Sequence, residues 1–391
     1  MPKIRWMCNL GLHIEPTGKG WRHEQEMGFQ TGIVGLPNVG KSTLFNALTS
    51  SMSARAANFP FCTIEASTGE VAVPDERLGR IAAIAGSAQL APARMRFVDI
   101  AGLVKGASRG EGLGNRFLAT IREVDAISHV VRCFDDDDVT HVHGGIDPVG
   151  DIETVETELM LADIESIERR MQRLSRKVRG GDPEAVAQDM LLRRALPFLE
   201  RGEPARLTRI SPSEQDAWSR IRLLSAKPVL YVCNVDEGSA ATGNVHSRMV
   251  EEVAARSGAG VVVCSAAIEE QIGQLEPGEA DEFLAELSLA EPGLSRVINA
   301  GYQLLDLVTF FTAGLREAHA WTIRRGTSAV EAAGAIHGDF RRGFIRAEAV
   351  SYEDFAAFGG ESGAREAGKL RSEGRDYVVQ DGDVLHILFN L

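Results

Sequence analysis

The chain has 391 residues, a formal net charge of −13 at pH 7, and 44% hydrophobic and 25% charged residues. This length predicts two or three domains, and the composition is typical of a globular protein. The acidic balance excludes a uniformly basic nucleic-acid-binding protein, and no apolar run reaches the roughly 18–20 residues of a membrane-spanning helix.

Residues 1–26 mix Lys, Arg, Glu and His and have no clear apolar core, so a secretory signal is not predicted. The first strand pattern begins just after Met27. We therefore expect residues 1–26 to be a disordered or non-native extension, with Met27 as the natural start. The five cysteines have no C-x-x-C spacing, which predicts neither a zinc site nor a disulfide framework and favours a reducing cytoplasm.

Residues 35–42 read Gly-Leu-Pro-Asn-Val-Gly-Lys-Ser, the phosphate-loop pattern G-x-x-x-x-G-K-S. A strand pattern precedes it and a helix pattern follows, which is the context that this motif needs. Its glycines let backbone N–H groups approach phosphates, its lysine pairs with the β and γ oxygens, and its serine binds Mg²⁺. The alternative is a chance glycine loop. The predicted nucleotide-binding residues of this segment are Asn38, Val39, Gly40, Lys41, Ser42 and Thr43.

Two later segments are predicted to complete the phosphate site. Asp99 follows an apolar strand pattern and begins D-x-x-G, which ends at Gly102. Asp99 is expected to hold Mg²⁺, directly or through water, and the Gly102 N–H to contact the γ-phosphate. Thr63 lies where a first switch segment is expected and is a candidate Mg²⁺ ligand, although an ordinary N-cap or turn threonine explains it equally well.

The residue after D-x-x-G is Leu103, where many GTPases have a glutamine that orients the attacking water. Leucine cannot do this, so either slow hydrolysis or another water-positioning group is predicted. The glycine-rich residues 102–114 are expected to order when nucleotide binds. The alternative is a flexible surface loop with no switching role.

Short apolar runs recur through most of the chain, and helical patterns separate most of them. This alternation predicts an α/β domain with a mostly parallel sheet and helices on both faces, in which ligands bind at the carboxyl ends of the strands. The predicted strands cover residues 30–35, 95–100, 126–134, 228–234 and 260–266.

Residues 151–225 interrupt this alternation with a heptad pattern. Gly180 and Gly181 are predicted to end a first helix, and Asp182 and Pro183 to begin a second one. We therefore predict an antiparallel helical pair inserted into the nucleotide-binding domain. Its apolar seam is Met160, Ile164, Ile167, Met171, Leu174 and Val178.

Residues 234–237 read Asn-Val-Asp-Glu at a strand end, where guanine-specific proteins have N-K-x-D. Val235 replaces the lysine, and Glu237 is one methylene longer than the aspartate that accepts hydrogen bonds from guanine. We infer weakened guanine selectivity, with adenine preferred or both bases accepted. The alternative is that Glu237 is simply a solvated loop residue, which is also compatible with a lost preference for guanine. The predicted base-site residues are Asn234, Val235, Glu237, Ser265 and Ala266.

The last part of the chain, residues 305–391, has a different pattern. Strands are predicted at residues 321–323, 344–349, 377–379 and 384–389, with a turn at Asp381-Gly382. A capping box at Ser328-x-x-Glu331 predicts a helix that runs toward Phe340. A small mixed sheet with one packed helix is therefore expected.

With these residues identified, the chain resembles the YchF-type Obg-like ATPases, a branch of the Obg-related translation-factor GTPases, over residues 27–391. The resemblance implies a P-loop nucleotide-binding domain (27–150 and 226–304), an inserted helical domain (151–225) and a C-terminal TGS domain with a β-grasp fold (305–391). It also implies Mg²⁺-dependent hydrolysis of ATP in preference to GTP, with a hydrophobic residue in place of the catalytic glutamine. The matching segments are 35–42, 58–65, 99–115, 234–237, 301–312 and 377–390.

The resemblance implies roles for two further residues. His141 matches a histidine proposed to position water, although a solvated loop side chain is the alternative and the acidic residues 135–138 oppose its approach to phosphates. Asn38 matches an asparagine that helps to bind an activating K⁺; the alternative is that it caps the loop. The catalytic candidates are thus Lys41, Gly102 and His141, and the Mg²⁺ candidates are Ser42, Thr63 and Asp99.

Ribosome binding and a role in translation or stress are also implied, with neither a membrane nor DNA as a partner. A basic cluster offers a candidate contact for RNA phosphates. The alternative is a solvated helix face paired with Glu165 and Glu168. The cluster is Arg169, Arg170, Arg173, Arg176, Lys177 and Arg179.

Two rival functions stay open on the sequence. One is a GTP-specific assembly factor of the Obg type, which has the same fold but reads a different base. The other is a binding module in which nucleotide only gates partner docking and hydrolysis is negligible.

Overall fold

The computed structural model describes residues 29–56, 68–100, 113–135 and 145–390. Residues 1–26, Thr63, Gly102, Leu103 and His141, for which the sequence makes predictions, lie outside these ranges. Within them, no helix has both the length and the apolar character that crossing a membrane requires.

The strands of the described residues are β1 (Gln30–Val34), β2 (Thr68–Ala72), β3 (Gln89–Ala91), β4 (Arg94–Asp99), β5 (Ala126–Arg132), β6 (Val229–Asn234), β7 (Gly260–Cys264), β8 (Leu307–Ala313), β9 (Glu317–Arg324), β10 (Phe344–Ser351), β11 (Arg371–Glu373) and β12 (Asp383–Phe389). The helices are α1 (Lys41–Ala56), α2 (Glu76–Ala85), α3 (Leu113–Glu123), α4 (Pro148–Arg179), α5 (Pro183–Glu200), α6 (Gln215–Ile221), α7 (Val245–Ser257), α8 (Ala266–Ile272), α9 (Pro277–Glu286), α10 (Gly293–Leu304), α11 (Ala329–Ile336), α12 (Gly338–Arg342), α13 (Tyr352–Ala357) and α14 (Glu361–Glu366).

These elements form two compact units. The phosphate-loop unit comprises Phe29–Val71 and Arg96–Leu304, and the C-terminal unit comprises Ala72–Met95 together with the chain from Leu305 onward. Each unit has its own six-stranded sheet.

The sheet of the phosphate-loop unit has the strand order β2-β4-β1-β5-β6-β7. β1 pairs in parallel with β4 and β5, and β5, β6 and β7 continue the parallel pairing. Every residue of β5 and of β6 is buried, including the polar Ser128, His129 and Arg132 of β5, because helices cover both faces of such a sheet. The predicted α/β fold with a mostly parallel sheet is confirmed, and its strand ends bring distant segments to one edge.

The helical pair predicted from the heptad pattern is formed by α4 and α5. Met160 and Ile167 are buried in its core, with Ile164, Met171 and Leu174 packed against them. Asp182 caps α5, since its carboxylate accepts a hydrogen bond from the Ala185 N–H at 2.9 Å. The pair belongs to the same compact unit as the parallel sheet.

The sheet of the C-terminal unit has the order β11-β10-β12-β8-β9-β3. β8 and β9 are antiparallel, β10 and β12 are antiparallel, and β12 and β8 are parallel. α11 contributes Ala329, Ala332 and Ala333 to a core with apolar residues of this sheet. This mixed sheet with one packed helix is the expected β-grasp arrangement.

One segment lies in a different unit from the one that the sequence-based division gave it. Residues 72–95 were assigned to the nucleotide-binding domain, but they pack in the C-terminal unit. There β3 pairs in parallel with β9, and Arg77 Nη1 donates to Asp381 Oδ2 at 2.7 Å. β3 has three residues, too few for the alternating pattern that identifies a strand in a sequence.

Three local predictions for the C-terminal unit are wrong. Val378, predicted in a strand, forms an isolated bridge with Ser328. The helix predicted to run from Ser328 toward Phe340 is interrupted at His337, whose extended backbone (φ −164°) ends α11 and begins α12. Ser328 is the N-cap residue, but its side chain makes no capping hydrogen bond.

Candidate nucleotide-binding site

The phosphate loop connects the end of β1 to the start of α1. At Gly40 the backbone φ is +89°, and an added Cβ would lie 2.2 Å from Asn234 Nδ2. At Gly35 a Cβ would lie 2.7 Å from the Val130 carbonyl oxygen. Both positions therefore require glycine, and the loop at residues 35–40 runs close to the strand ends. Asn38, also with a positive φ of 63°, lies exposed in this loop.

The first residue of α1 and the last residue of β4 meet beside this loop. Lys41 Nζ lies 3.4 Å from Asp99 Oδ1. The two residues are brought together because β4 pairs in parallel with β1, with Asp99 in register with Ile33. The predicted phosphate-binding lysine and the predicted metal-binding carboxylate therefore lie at one site.

The oxygen donors at this site fit a magnesium ion. Asp99 presents a partly exposed carboxylate, and Ser42 is exposed in the first turn of α1. Carboxylate and hydroxyl oxygens are the hard ligands that Mg²⁺ prefers. The third candidate, Thr63, and the catalytic candidates Gly102 and His141 lie outside the described residues.

Asn234 connects the phosphate loop to the loop after β7. Its Nδ2 donates to the Val39 carbonyl at 3.0 Å, and its Oδ1 accepts from the Ala266 N–H at 2.9 Å. The side chain is only 5% exposed. These two bonds make Asn234 a positioning residue for both loops, a role that the sequence prediction of nucleotide contact did not include.

In the segment after Asn234, Val235 and Glu237 lie in different surroundings. Val235 is buried, with its N–H bonded to the Cys264 carbonyl, so an apolar side chain replaces the lysine. Glu237 is exposed at the start of a short 3₁₀ turn, Glu237–Ser239. Its Oε1 accepts a hydrogen bond from Gln271 Nε2 at 2.9 Å, so α8 holds the carboxylate.

A buried acid of α8, Glu269, holds the helix that begins directly after Ser265. Glu269 Oε1 accepts from the Gly293 N–H at 2.7 Å and joins α8 to α10. Burial raises the pKa of Glu269 above its ordinary value, against the effect of this and a further backbone hydrogen bond. Neither Glu269 nor Gln271 was predicted, because no motif spacing links them to the base loop.

Two segments of the chain match known protein families. Residues 30–171 match the family described as "50S ribosome-binding GTPase". Residues 307–390 match the family YchF-GTPase_C, described as a protein of unknown function.

Whole proteins match the chain over nearly its full length. The chain is 54% identical over 365 residues to the "Ribosome-binding ATPase YchF" of Haemophilus influenzae, covering 93% of this chain and 100% of that protein. The chain belongs to the YchF family. The protein with the same name in Bacillus subtilis is 50% identical over 367 residues, with the same coverage.

A solved YchF structure has the same fold. The YchF GTPase of Schizosaccharomyces pombe superposes with a TM-score of 0.83 at 37% identity, covering 92% of this chain and 97% of that one. The resemblance drawn from the sequence motifs is therefore confirmed, and so is the YchF combination of a P-loop NTPase fold with a C-terminal β-grasp fold.

Proposed function

We propose that this chain is a cytoplasmic, Mg²⁺-dependent nucleoside triphosphatase that hydrolyses ATP in preference to GTP and binds the ribosome. The observation that carries the proposal is Lys41 beside Asp99 at a glycine-dependent phosphate loop. The relatives named ribosome-binding ATPases, about half identical over their whole length, support the reaction and the partner.

The reaction follows from this geometry. The loop N–H groups and Lys41 bind the β- and γ-phosphate oxygens and stabilise the negative charge that develops on them. A water oxygen attacks the γ-phosphorus in line, and the bond from that phosphorus to the bridging β–γ oxygen breaks, releasing ADP and phosphate. Ser42, Asp99 and Thr63 would hold Mg²⁺, which would supply positive charge to offset the negative charge of the phosphate oxygens.

Leu103 makes slow basal turnover the expected behaviour, because a leucine side chain cannot hold the attacking water. His141 is proposed to position this water and Gly102 to contact the γ-phosphate. Such an enzyme acts as a timer or switch rather than as a metabolic catalyst.

The preference for ATP is proposed from Val235 and Glu237. With a buried valine at the lysine position and the Glu237 carboxylate held by Gln271, the paired contacts that read guanine are misplaced. A site that is not built to bond guanine loses the discrimination that buried polar pairing gives.

A GTP-specific switch is the second candidate. The matched family is described as a GTPase, and the fission-yeast structure is named a YchF GTPase. Asn38, exposed in the phosphate loop, is proposed to contribute to K⁺ binding, so turnover in K⁺ is expected to exceed turnover in Na⁺.

Calorimetry with ATP and with GTP, together with phosphate release, tests the proposal. We expect tighter ATP binding in the wild-type chain. Lys41→Ala is expected to lower turnover at least 10²- to 10³-fold while the C-terminal unit stays folded, because a positioned charge is lost. Tighter binding of GTP would falsify the base assignment. Absence of turnover both with and without ribosomes would instead favour the nucleotide-gated binding module.

The ribosome contact is proposed at the basic cluster of α4. Arg169 is 3.5 Å from Glu165, but both side chains are about 60% exposed, so this pair is weak. Reversing Arg173, Arg176 and Lys177 to Glu is expected to reduce co-sedimentation with ribosomes. Unchanged binding would remove the cluster from the proposal.

A further inference from the structure

A cavity of about 500 Å³ in the phosphate-loop unit is lined almost entirely by basic and polar side chains. It lies between the last turn of α3, which provides Arg122, and one face of α4. The α4 residues that line it are Ser166, Arg169, Gln172 and Arg173. Arg122 is distant in sequence from the predicted basic cluster, so only the folded chain brings it there.

The positive charge of this cavity is poorly compensated. Among the described residues, Arg122 and Arg173 take part in no ion pair, and Arg169 has only its exposed partner Glu165 at 3.5 Å. Arg170, on the same helix, donates through Nη1 to the Ile221 carbonyl at 3.0 Å rather than to an acid. Burial, and then the charges of Arg173 and Arg122, lower the pKa of Arg170, so these guanidiniums act on one another.

The Asp163 carboxylate interacts electrostatically with Arg122, but it is already hydrogen-bonded to other groups. Asp163 is 1% exposed and accepts hydrogen bonds from the Leu224 N–H, the Ser225 N–H and the Ser225 hydroxyl, at 2.7 to 2.8 Å. Lys227 Nζ donates to the Arg122 carbonyl at 3.3 Å, and its charge interacts with Asp125 and Asp163. An anion entering the cavity therefore meets Arg122 and Arg173, which have no ion-pair partner among the described residues.

The lining also indicates the kind of anion. Among the residues that the structure describes, no aromatic or aliphatic side chain lines the cavity, whereas sites for free nucleotides and other small molecules are mostly apolar. Arginine forks match phosphate oxygens, and the Ser166 hydroxyl and the Gln172 amide offer further polar contacts. The chemistry suits a phosphodiester segment recognised without its bases.

We propose that the Arg122–Arg169–Arg173 cavity binds the sugar–phosphate backbone of RNA. The proposal rests on the proposed ribosome binding and gives it a specific contact. The bound phosphates would join α4 to α3, the helix that follows the Asp99 strand in sequence. The exposed tip residues Arg176 and Arg179 lie outside the cavity and contribute less.

Two matched double variants test the proposal. Arg122→Gln with Arg173→Gln removes two charges from the cavity, and Arg176→Gln with Arg179→Gln removes two charges from the same helix outside it. Binding to purified ribosomes and to a short RNA hairpin is measured as a function of salt. For the cavity variant we expect about tenfold weaker binding and a salt slope reduced by about 1 to 2, since each lost phosphate contact lowers the slope by about 0.7 to 0.9. The tip variant should change both quantities less.

Arg122 is partly buried, so Arg122→Lys and the single exposed change Arg173→Gln provide variants that keep the fold. Arg122→Lys should retain most of the binding, and Arg173→Gln alone should give about half of the slope change.

Equal losses for the cavity and tip variants, or no loss for either, would overturn the cavity proposal while ribosome binding stands. A wild-type chain that binds no ribosomes at any salt would overturn the proposed function itself. Binding of tripolyphosphate that depends on Arg122, with RNA binding unchanged, would assign the cavity to a free polyphosphate and reject RNA.

Discussion

Gly40 shows how a single residue sets the geometry of the nucleotide site. Its positive φ and the 2.2 Å approach of Asn234 Nδ2 to the place of a Cβ are two separate constraints. Because Asn234 also bonds Val39 and Ala266, a side chain at position 40 would displace the residue that holds both loops.

Gly40→Ala is therefore expected to weaken nucleotide binding by at least tenfold and to destabilise the chain by about 2 to 4 kcal/mol, from backbone strain and the lost Asn234 contacts. Gly181→Ala is the matched control: Gly181 has a φ of +74°, but no atom of the described part of the chain lies within 4 Å of its added Cβ. It should cost only about 1 to 2 kcal/mol of strain and leave binding unchanged. Calorimetry and urea unfolding measure both effects, and equal losses of affinity would contradict the role given to Asn234.

Among single residues of the site, the sequence predicts those that belong to a recognisable motif. Lys41 and Asp99 were expected together because each follows a strand, and parallel strands end at one edge. Gln271 and Arg122 could not be predicted, since their contacts depend on how α8 and α3 pack, which has no signature in local spacing.

At the scale of elements, β5 contains a histidine where the sheet is fully buried. His129 is 2% exposed, its Nε2 has no hydrogen-bond partner among the described residues, and its ring centroid lies 5.7 Å from that of Tyr231. Burial, helped by the charge of Arg206, lowers the pKa of His129 to about 3. The folded chain therefore keeps this ring neutral at pH values where the unfolded chain protonates it.

Acid is expected to destabilise the fold through His129. The unfolded state binds the proton below its ordinary pKa of about 6.5, so stability falls with decreasing pH between about 6.5 and 3. From pH 7 to pH 5 the contribution is about 2 kcal/mol. Urea unfolding of the wild type and of His129→Leu, followed by circular dichroism at both pH values, checks this. The variant should lose about 2 kcal/mol less than the wild type, and identical losses would exclude His129 as the cause.

A buried ion pair joins the helical pair to the rest of its unit. Arg206 Nη2 lies 2.7 Å from Glu156 Oε1 of α4, with side chains 8% and 11% exposed. Arg206 Nε also donates to the Ser257 carbonyl at 3.1 Å, and the Tyr231 hydroxyl donates to Glu156 Oε1 at 3.1 Å. The Arg206 guanidinium thus connects α4 to the end of α7, and Glu156 connects α4 to β6.

Arg206→Met is expected to destabilise the chain by about 3 to 5 kcal/mol, because it leaves Glu156 buried without its cation. Arg201→Met breaks an exposed pair with Glu203, with side chains 54% and 44% exposed, and should cost less than about 1 kcal/mol. Adding Glu156→Leu to Arg206→Met should recover part of the loss. Thermal or urea unfolding compares the variants, and similar costs for Arg206 and Arg201 would show that the buried pair is not important.

Elements were predictable where burial gives a strong local pattern. β5 and β6 are buried and mostly apolar, and α4 has a heptad seam, so all three were found from the sequence. β8 was not predicted, because its apolar run follows the apolar helix α10 closely and such short runs do not distinguish strand from helix.

At the scale of the whole molecule, the C-terminal unit is assembled from two distant parts of the chain. Arg77 of α2 contacts Asp381, and the same carboxylate accepts from the Thr309 N–H of β8 at 2.9 Å. β3 covers the outer edge of β9 from Gln89 to Ala91. The family resemblance placed this unit at residues 305–391 alone, because nothing in residues 72–95 indicates which sheet they join.

Because residues 72–95 belong to this unit, we predict that residues 305–391 alone are insufficient for a stable fold. Without residues 72–95, the backbone groups of β9 that pair with β3 lose their partners, and Asp381 loses its cation. A fragment of residues 305–390 alone should show weak hydrogen-exchange protection in β8 and β9. A fragment in which residues 72–95 precede it through a flexible Gly/Ser linker should regain that protection and unfold cooperatively.

Arg77→Ala in the linked fragment should lower its stability by about 1 to 3 kcal/mol, since it leaves a half-buried carboxylate without its charged partner. Equal protection with and without residues 72–95 would show that the C-terminal sheet folds independently of this segment.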